Sequence, residues 1–225
     1  AGTWLRKTYF LQPLLLVSTS DLNVTAEFDS AADRFEISSA SEDQPKTVHC
    51  AGDTSIAGTA PSSPEAFSVR ERSIWSVDSP VLYAALRAAG LEYGPAYRTL
   101  ETVWASEIGV ATASMQRRTL RQGTRVHPAD LDGALQLTGL LIKSQPGETR
   151  LPFMVGEAML RGSRGRLHAV AASDGTDSSA VWLAGAFLDA TPSAALNGFV
   201  TRALGGPAQS AQRHTYETVL ETVEV

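Results

Sequence analysis

The chain has 225 residues, 43% of them hydrophobic, and a net charge of −5, which is enough for one large domain or two small ones. The charges are spread along the chain without a basic block, so nucleic acid is not indicated as a partner. No apolar run approaches the ~20 residues of a membrane span, and a single cysteine, Cys50, excludes an internal disulfide and fits a reducing, cytoplasmic setting.

Both ends of the sequence are typical of a piece of a longer polypeptide. The first residues lack an initiator methionine and the apolar region of a signal peptide, and residues 205–212 have the composition of a linker. We expect a first folded portion at residues 1–60, a connector at 61–78 and a second folded portion at 79–204. Residues 205–225 are predicted to be a linker or tail.

The first quarter of the chain predicts antiparallel sheet. Residues 8–17 form an apolar run broken by Pro13, which indicates an edge or bulged strand. A two-residue period, typical of a strand with one buried face, is carried by Leu22, Val24, Ala26 and Phe28. The pattern resumes at Phe35 and Ile37, and residues 47–56 predict a further strand.

A capped helix and a rigid turn follow the connector. Ser79 and Pro80 suit the start of a helix, and Gly90 suits its end. The turn comes next and holds two aromatic rings in the order Tyr93-Gly94-Pro95-Ala96-Tyr97. The two tyrosines either brace the sheet or line a binding tunnel, and the residues alone favour neither role.

Residues 102–115 predict two strands that turn at 107–109, and a long apolar helix is expected over 128–142. Pro128 suits its first turn, and Asp132 and Gln136 interrupt its apolar surface four residues apart, so they share one face. A carboxylate among apolar residues is costly unless something compensates it. Asp130 is explained as a partner of the helix dipole, whereas Asp132 is either another such partner or a functional acid.

The remaining segments complete an α+β arrangement, in which antiparallel sheet wraps a helix. Residues 151–160 predict a strand entered through Pro152. Residues 166–172 and 180–190 predict a hairpin around the turn at Ser173-Asp174-Gly175. No short-period repeat is present, although the two halves could be two copies of one unit.

Three segments, in this order, resemble motifs of polyketide synthase dehydratase domains. Tyr93-Gly94-Pro95-Ala96-Tyr97 resembles their YGPxF motif, residues 127–136 resemble HPxxLDxxxQ, and Leu151-Pro152-Phe153 is similar to the LPF element. The resemblance covers most of residues 8–204. It implies a double hot-dog fold, in which two antiparallel sheets each wrap a central helix, with the first hot-dog incomplete in this chain.

The resemblance also implies roles for individual residues. In the family, a histidine removes the α-proton of a β-hydroxyacyl thioester, and the aspartate matched by Asp132 protonates the departing hydroxyl while the glutamine matched by Gln136 positions it. An apolar pocket raises the pKa of a carboxyl group, as a general acid requires. The implied substrate-binding residues are Tyr93, Gly94, Pro95, Tyr97, His127, Pro128, Leu151, Pro152 and Phe153.

The sequence departs from the family at the histidine, which family members carry in an HxxxGxxxxP motif. Its four histidines, none followed by that pattern, are His49, His127, His168 and His214. The missing motif favours a non-dehydrating domain, such as the branching domain beside a ketosynthase, that holds substrate or acts as a scaffold. An active dehydratase whose histidine segment lies outside this chain is the alternative, and an acyl-binding module without catalysis is a third.

In each case the resemblance implies the same partners. The substrate arrives on the phosphopantetheine arm of an acyl carrier protein, and a ketosynthase adjoins the domain in the same polypeptide. No metal or other cofactor is expected, and neither nucleic acid nor a membrane is a partner. A homodimer through the parent synthase stays open.

Overall fold

The strands in the described part of the chain join one antiparallel sheet of eleven strands. The structure is a computed structural model that describes residues 3–14, 22–41, 44–56, 58, 75–107, 109–118, 123–141, 148–162, 165–173, 175, 177–185 and 192–203. The order of strands across the sheet is β2-β3-β4-β1-β8-β11-β10-β9-β7-β6-β5. The sheet therefore has an N-terminal part, β1–β4, and a C-terminal part, β5–β11.

The N-terminal region, residues 3–56 as described, supplies four strands. They are β1 (Thr3–Phe10), β2 (Asn23–Asp29), β3 (Arg34–Ser41) and β4 (Gln44–Ser55). Strand β1 begins before the predicted run and ends before Pro13, which keeps the proline out of the hydrogen-bonded ladder. Strands β3 and β4 agree with the segments that the alternating pattern predicts.

The C-terminal region, residues 75–203 as described, supplies seven strands and two α-helices. The strands are β5 (Trp75–Asp78), β6 (Leu100–Ser106), β7 (Val110–Met115), β8 (Arg150–Leu160), β9 (Leu167–Ser173), β10 (Ser178–Gly185) and β11 (Ala194–Ala203). The helices are α1 (Ser79–Ala88) and α2 (Pro128–Gln136), and short 3-10 helices follow at Pro95–Tyr97 and Leu137–Leu140.

The pairing of β1 with β8 joins the two regions. Thr3 lies opposite Leu160 and Tyr9 lies opposite Met154, in antiparallel register. The expectation of two separate sheets is therefore corrected to one continuous sheet. Sequence periodicity could not show this pairing, because it joins strands that are far apart in the chain.

The main core lies where α1 and α2 pack on the C-terminal part of the sheet. Leu82 and Leu86 of α1 and Ala134 of α2 are buried there against strand residues such as Val103 and Ala113. A smaller cluster lies on the other face of the sheet. Its strand residues are next in sequence to residues of the main core, and neighbouring residues of a strand point to opposite faces. This cluster comprises Trp4, Met159, Val170, Trp182 and Ala195.

Strand β2 contradicts the prediction of one buried face, since every one of its residues is exposed. Val24 is 52% exposed and Phe28 is 60% exposed. The strand lies at the edge of the sheet and pairs only with β3. Alternation shows which face could be buried, but burial also requires another element to cover that face.

Both helices differ from their predicted bounds. Helix α1 has Asp78 rather than Ser79 at its N-cap, and it ends before Gly90, whose φ of 86° is the left-handed conformation expected there. Helix α2 narrows into a 3-10 turn after Gln136 instead of continuing to residue 142. Among the helices of the described ranges, none has the length and apolar character needed to cross a membrane.

The predicted connector at residues 61–78 is wrong at its end, because Trp75–Asp78 is strand β5 and pairs with β6. Its other residues, 61–74, lie outside the described residues, as do the predicted tail at 205–225 and the hairpin residues 186–190. The remaining domain bounds and the incompleteness of the first hot-dog stay predictions.

Candidate active site

Helix α2 begins with a histidine cap and a buried acid. The backbone N–H of Ala129 donates to Nδ1 of His127 at 3.1 Å, and Pro128 follows the cap because the first turn needs no N–H there. Asp130 is 3% exposed and accepts a hydrogen bond from the backbone N–H of Arg118 at 3.2 Å. Burial raises the pKa of Asp130, and the hydrogen bond from Arg118 opposes the rise. Asp130 thus ties the helix to the segment after β7.

One turn later, Asp132 and Gln136 are paired as the four-residue spacing predicts. Nε2 of Gln136 donates to Oδ2 of Asp132 at 2.8 Å. Asp132 is half-buried, and burial raises the pKa of its carboxyl group while the hydrogen bond from Gln136 lowers it. The balance favours a protonated carboxyl group at a higher pH than an exposed aspartate allows, which is the property of a general acid.

The amide of Gln136 uses all of its hydrogen-bonding groups except one acceptor position. Its oxygen accepts a hydrogen bond from the hydroxyl of Tyr83 at 2.9 Å, and its nitrogen also donates to the backbone carbonyl of Tyr97 at 3.1 Å. Gln136 is 4% exposed, so these bonds replace those that water would supply.

The tyrosine turn contacts Gln136 through the carbonyl group of Tyr97 and contacts Tyr83 through the ring of Tyr93. The ring of Tyr93 lies edge-on to Tyr83, with 6.1 Å between centroids. Burial raises the pKa of Tyr93, and the charge of Asp132 adds to the rise. Tyr97 is 43% exposed and contributes its carbonyl oxygen to Gln136, while a substrate-binding role for its ring stays a prediction. Gly94 caps the 3-10 helix that Pro95 begins, and a side chain at Gly94 would enter open space.

The predicted residues of β8 lie in different surroundings. Phe153 packs edge-on against Tyr9 at 6.1 Å, and the guanidinium of Arg202 lies 3.2 Å from its ring centroid. Leu151 and Pro152 pair with Arg202 and Thr201 of β11. The recorded contacts of these three residues are therefore with β1 and β11 rather than with Asp132, and a substrate-binding role for them stays a prediction.

Two histidines in the described ranges use their ring nitrogens in structural hydrogen bonds. Nδ1 of His49 lies 3.1 Å from the carbonyl oxygen of Gln12, to which it must donate, and Nε2 lies 2.7 Å from Oγ of Ser39. Nδ1 of His127 accepts the capping bond. A general base needs a ring nitrogen with a free lone pair, so neither histidine is arranged as the base in this conformation.

A cleft lies at the N-terminal end of α2, beside His127 and Asp130. Arg117, Arg118 and Arg125 also line it. Asp132 is not among its lining residues, which separates this cationic cleft from the acid pair. In the described part of the chain, no group of three or more His, Cys, Asp or Glu residues could hold a metal ion.

Sequence reasoning missed Tyr83 and underestimated Asp130. Tyr83 is 6% exposed, and a buried tyrosine usually has a partner for its hydroxyl group. Its place among the apolar residues of α1 was a signal that a partner exists. That signal could not name Gln136, which lies 53 residues away.

The family model described as "Polyketide synthase dehydratase N-terminal domain" matches residues 63–211. This match covers more than half of the chain. The chain belongs to the polyketide synthase dehydratase family. The family indicated by the three motifs is thereby confirmed, and the motifs of this dehydratase-family domain all lie within the matched range.

Two curated relatives are polyketide synthases of Streptomyces. Polyketide synthase GfsE of Streptomyces halstedii is 40% identical over 78 residues, which are 32% of this chain and 2% of that protein. The spectinabilin polyketide synthase system protein NorB of Streptomyces orinoci is 39% identical over 102 residues, 43% of this chain and 5% of that protein. The chain thus spans a small part of the relatives it matches.

Solved dehydratase domains share the fold. The dehydratase domain from the CurF module of curacin polyketide synthase has a TM-score of 0.77 at 19% identity, covering 90% of this chain and 77% of that one. A trans-acyltransferase polyketide synthase dehydratase domain from Brevibacillus brevis has a TM-score of 0.74 at 20% identity, covering 91% and 77%. The predicted hot-dog class is therefore confirmed for this dehydratase-family chain.

Proposed function

We propose that this domain supplies the general acid, Asp132, for removal of water from a β-hydroxyacyl thioester. The observation that carries the proposal is the arrangement of Asp132 itself. The carboxyl group is half-buried, burial raises its pKa, and it is held by an amide that is itself fully positioned. A side chain that served only the helix dipole would not need such a holder.

In the proposed reaction a base removes the α-proton, and the electrons of that C–H bond form the Cα–Cβ double bond. The Cβ–O bond breaks as Asp132 gives its proton to the departing oxygen, which leaves as water. Asp132 becomes a carboxylate at that moment, and the N–H of Gln136 stabilises the new charge. A second proton transfer, from the protonated base through solvent, restores the acid.

The substrate in this proposal is carried on the phosphopantetheine arm of an acyl carrier protein. The domain would act beside a ketosynthase in a cytoplasmic multidomain synthase, and homodimerisation would occur through that synthase. The chemistry needs acid, base and an apolar surface, so it needs no metal or nucleotide. Relatives that are polyketide synthases support this setting.

The proposal assigns the base to a histidine other than His49 and His127, whose ring nitrogens are already engaged. Solved relatives support a histidine and an aspartate as the essential pair, because CurK dehydratase was crystallised as an inactive mutant in which a histidine is replaced by phenylalanine. A second inactive mutant of the same dehydratase replaces an aspartate by asparagine.

A non-dehydrating role, such as that of a branching domain beside a ketosynthase, is the second candidate. The observation that favours it is the engagement of His49 and His127 in structural hydrogen bonds. In that case Asp132 and Gln136 would hold the acyl chain or brace the fold, and a neighbouring domain would perform the chemistry.

The deciding experiment is mass spectrometry of an acyl carrier protein loaded with a β-hydroxybutyryl chain and incubated with this protein. The assay is run with and without added imidazole, which can replace a missing histidine base in solution. Asp132→Asn removes the acid while keeping its shape. Asp130→Asn is the matched control, since it makes the same change two residues away. The side-chain oxygen of an asparagine at this position can still accept the hydrogen bond from the backbone N–H of Arg118.

Each outcome decides between the candidates. Loss of water without imidazole, abolished by Asp132→Asn but not by Asp130→Asn, supports the proposal and places the base within this chain. Loss of water only with imidazole, and only when Asp132 is present, supports it with the base outside this chain. No loss of water under either condition, from a folded protein that binds the loaded carrier, overturns the proposal and favours the non-dehydrating role.

A further inference from the structure

The hydroxyl group of Tyr83 begins a chain of hydrogen bonds that ends at Asp132. Tyr83 belongs to α1, whereas Asp132 and Gln136 belong to α2. The hydroxyl accepts from the backbone N–H of Leu100 at 3.2 Å and donates to the amide oxygen of Gln136 at 2.9 Å. The tyrosine is therefore the contact through which one helix and the start of β6 hold the amide on the other helix.

The direction of each hydrogen bond between Tyr83 and Asp132 is determined by its partners. The carbonyl oxygen of Tyr97 can only accept, so the amide group of Gln136 presents its nitrogen to that carbonyl and its oxygen to Tyr83. An amide oxygen can only accept, so the hydroxyl of Tyr83 donates to it while accepting from the N–H of Leu100. The amide nitrogen has two acceptors, which are the carbonyl of Tyr97 at 3.1 Å and Oδ2 of Asp132 at 2.8 Å.

This order favours one oxygen of Asp132 as the carrier of the proton. Oδ2 accepts the N–H of Gln136, so a protonated carboxyl group places its hydrogen on Oδ1. Oδ1 has no recorded hydrogen-bond partner among the described residues, whereas Oδ2 is occupied by the amide. The proton is thereby favoured on the oxygen that the amide of Gln136 does not occupy.

The ring of Tyr83 is held from several sides. Tyr93 packs edge-on against it, and the guanidinium of Arg98 lies 5.6 Å from its centroid. Nε of Arg98 also donates to the carbonyl of Tyr93 at 2.9 Å. These contacts restrict movement of the hydroxyl group, so it can hold the amide of Gln136 in one orientation.

We propose that Tyr83 is a positioning residue for Asp132, acting through the side-chain amide of Gln136. The inference rests on the proposed role of Asp132 as the acid, and it goes beyond that role by naming the residue that orients the proton. Tyr83 itself touches neither the carboxyl group nor the reacting atoms.

A double-mutant cycle tests whether Tyr83 acts through Gln136. Tyr83→Phe removes only the hydroxyl, and Gln136→Ala removes the amide. We expect Tyr83→Phe to lower the rate of dehydration about tenfold with an unchanged KM, as loss of one buried hydrogen bond implies. In the Gln136→Ala protein the same substitution should have no further effect, because the link is already absent.

A carbon-detected NMR titration of Asp132 gives a readout that does not depend on activity. Tyr83→Phe weakens the hold on Gln136, whose hydrogen bond lowers the pKa of Asp132, so the pKa should rise. The titratable groups that interact with the charge of Asp132 are Tyr83 itself, which is uncharged over this titration, and Tyr93, which the substitution does not change. Tyr9→Phe is the matched control, since it removes the same group from a tyrosine on β1 that is 37% exposed, and it should leave the titration unchanged.

The two proposals fail in distinguishable ways. If Asp132 is not the acid, dehydration will not depend on it, yet the titration will still respond to Tyr83→Phe. If Tyr83 only fills space, Tyr83→Phe will leave both the titration and the side-chain amide signals of Gln136 unchanged. If Tyr83→Phe lowers the rate of dehydration equally in the parent protein and in Gln136→Ala, the inference is also overturned, since the tyrosine would then act by another route.

Discussion

The two regions of the sheet share one hydrogen-bonded surface but differ in how it is covered. The C-terminal region has two helices packed on it and contributes nearly all of the main core. In the described N-terminal region, only Trp4 and Cys50 are buried hydrophobic residues. Continuous strand pairing therefore does not imply a continuous core, because backbone bonds extend a sheet whether or not its faces are buried.

The same difference applies to polar groups. In the C-terminal region, Gln136 is buried and its bonds converge on Asp132. In the N-terminal region, Ser39 is buried and bonded to His49, whose other nitrogen is bound to a backbone carbonyl. One network ends at a carboxyl group with a raised pKa, and the other is closed on itself. We therefore assign chemistry to the first network and support of the sheet to the second.

The largest expected contrast is in catalysis. Under conditions in which the protein removes water from the loaded carrier, Asp132→Asn should lower the rate by at least about 100-fold, the usual contribution of a general acid. His49→Gln should leave the rate per folded molecule unchanged. Mass spectrometry of the carrier measures both. A large loss with His49→Gln would break the comparison by placing the base in the N-terminal region.

The next contrast is in stability. Leu82 is 1% exposed in the main core, so Leu82→Ala should reduce the free energy of unfolding by about 2–5 kcal/mol. Phe28 is 60% exposed on β2, and Phe28→Ala should change it by no more than about 0.5 kcal/mol. Urea unfolding of the two variants tests this. Similar reductions of the free energy of unfolding in the two variants would mean that the side chains of β2 are packed against another element in solution.

A pair of glycine substitutions sharpens the description of the C-terminal region. A Cβ at Gly133 would collide with Oγ1 of Thr99 and approach Cε of Met115 to 2.7 Å, so Gly133→Ala should destabilise the protein by about 1–3 kcal/mol. A Cβ at Gly94 meets nothing within 4 Å, so Gly94→Ala should be nearly neutral. Thermal unfolding distinguishes the two variants, and a neutral Gly133→Ala would show that α2 is not tightly packed against Thr99 and β7.

The smallest effect is the pH dependence of stability that Asp132 contributes. Burial raises its folded pKa above the ordinary value of 3.8, so the folded state keeps a proton that the unfolded state has lost. Stability from this group is therefore present at low pH and is lost as the pH rises through the folded pKa. The Asp132→Asn variant has no carboxyl group at this position, so it does not lose stability in this way as the pH rises. Urea unfolding from pH 4 to 7 should show the variant gaining stability relative to the parent, and a constant difference would contradict the raised pKa.

Much of the site could be predicted because it is local in sequence. The four-residue spacing of Asp132 and Gln136 determines that they meet on one helix face, and the proline and glycine signals mark both ends of α1 and the start of α2 closely. The carbonyl group of Tyr97 was not predicted as a partner of Gln136, because it is the 3-10 turn that points that group at the amide.

The rest depends on contacts between distant segments. Tyr83 bonds to Gln136 only because α1 packs beside α2, and no periodicity within either helix contains that information. The burial of Asp130 likewise depends on the segment at Arg118. The joining of β1 to β8 and the exposed faces of β2 follow from which elements lie beside each strand.

The most direct test of the central claim is the carbon-detected NMR titration of Asp132 in the parent protein and in Gln136→Ala. The account predicts a midpoint above the ordinary value of an aspartate in the parent, and a further rise when the amide is removed, because the hydrogen bond from Gln136 lowers the pKa. A midpoint at or below the ordinary value would contradict the account, since Asp132 would then be a carboxylate at neutral pH with no proton to give.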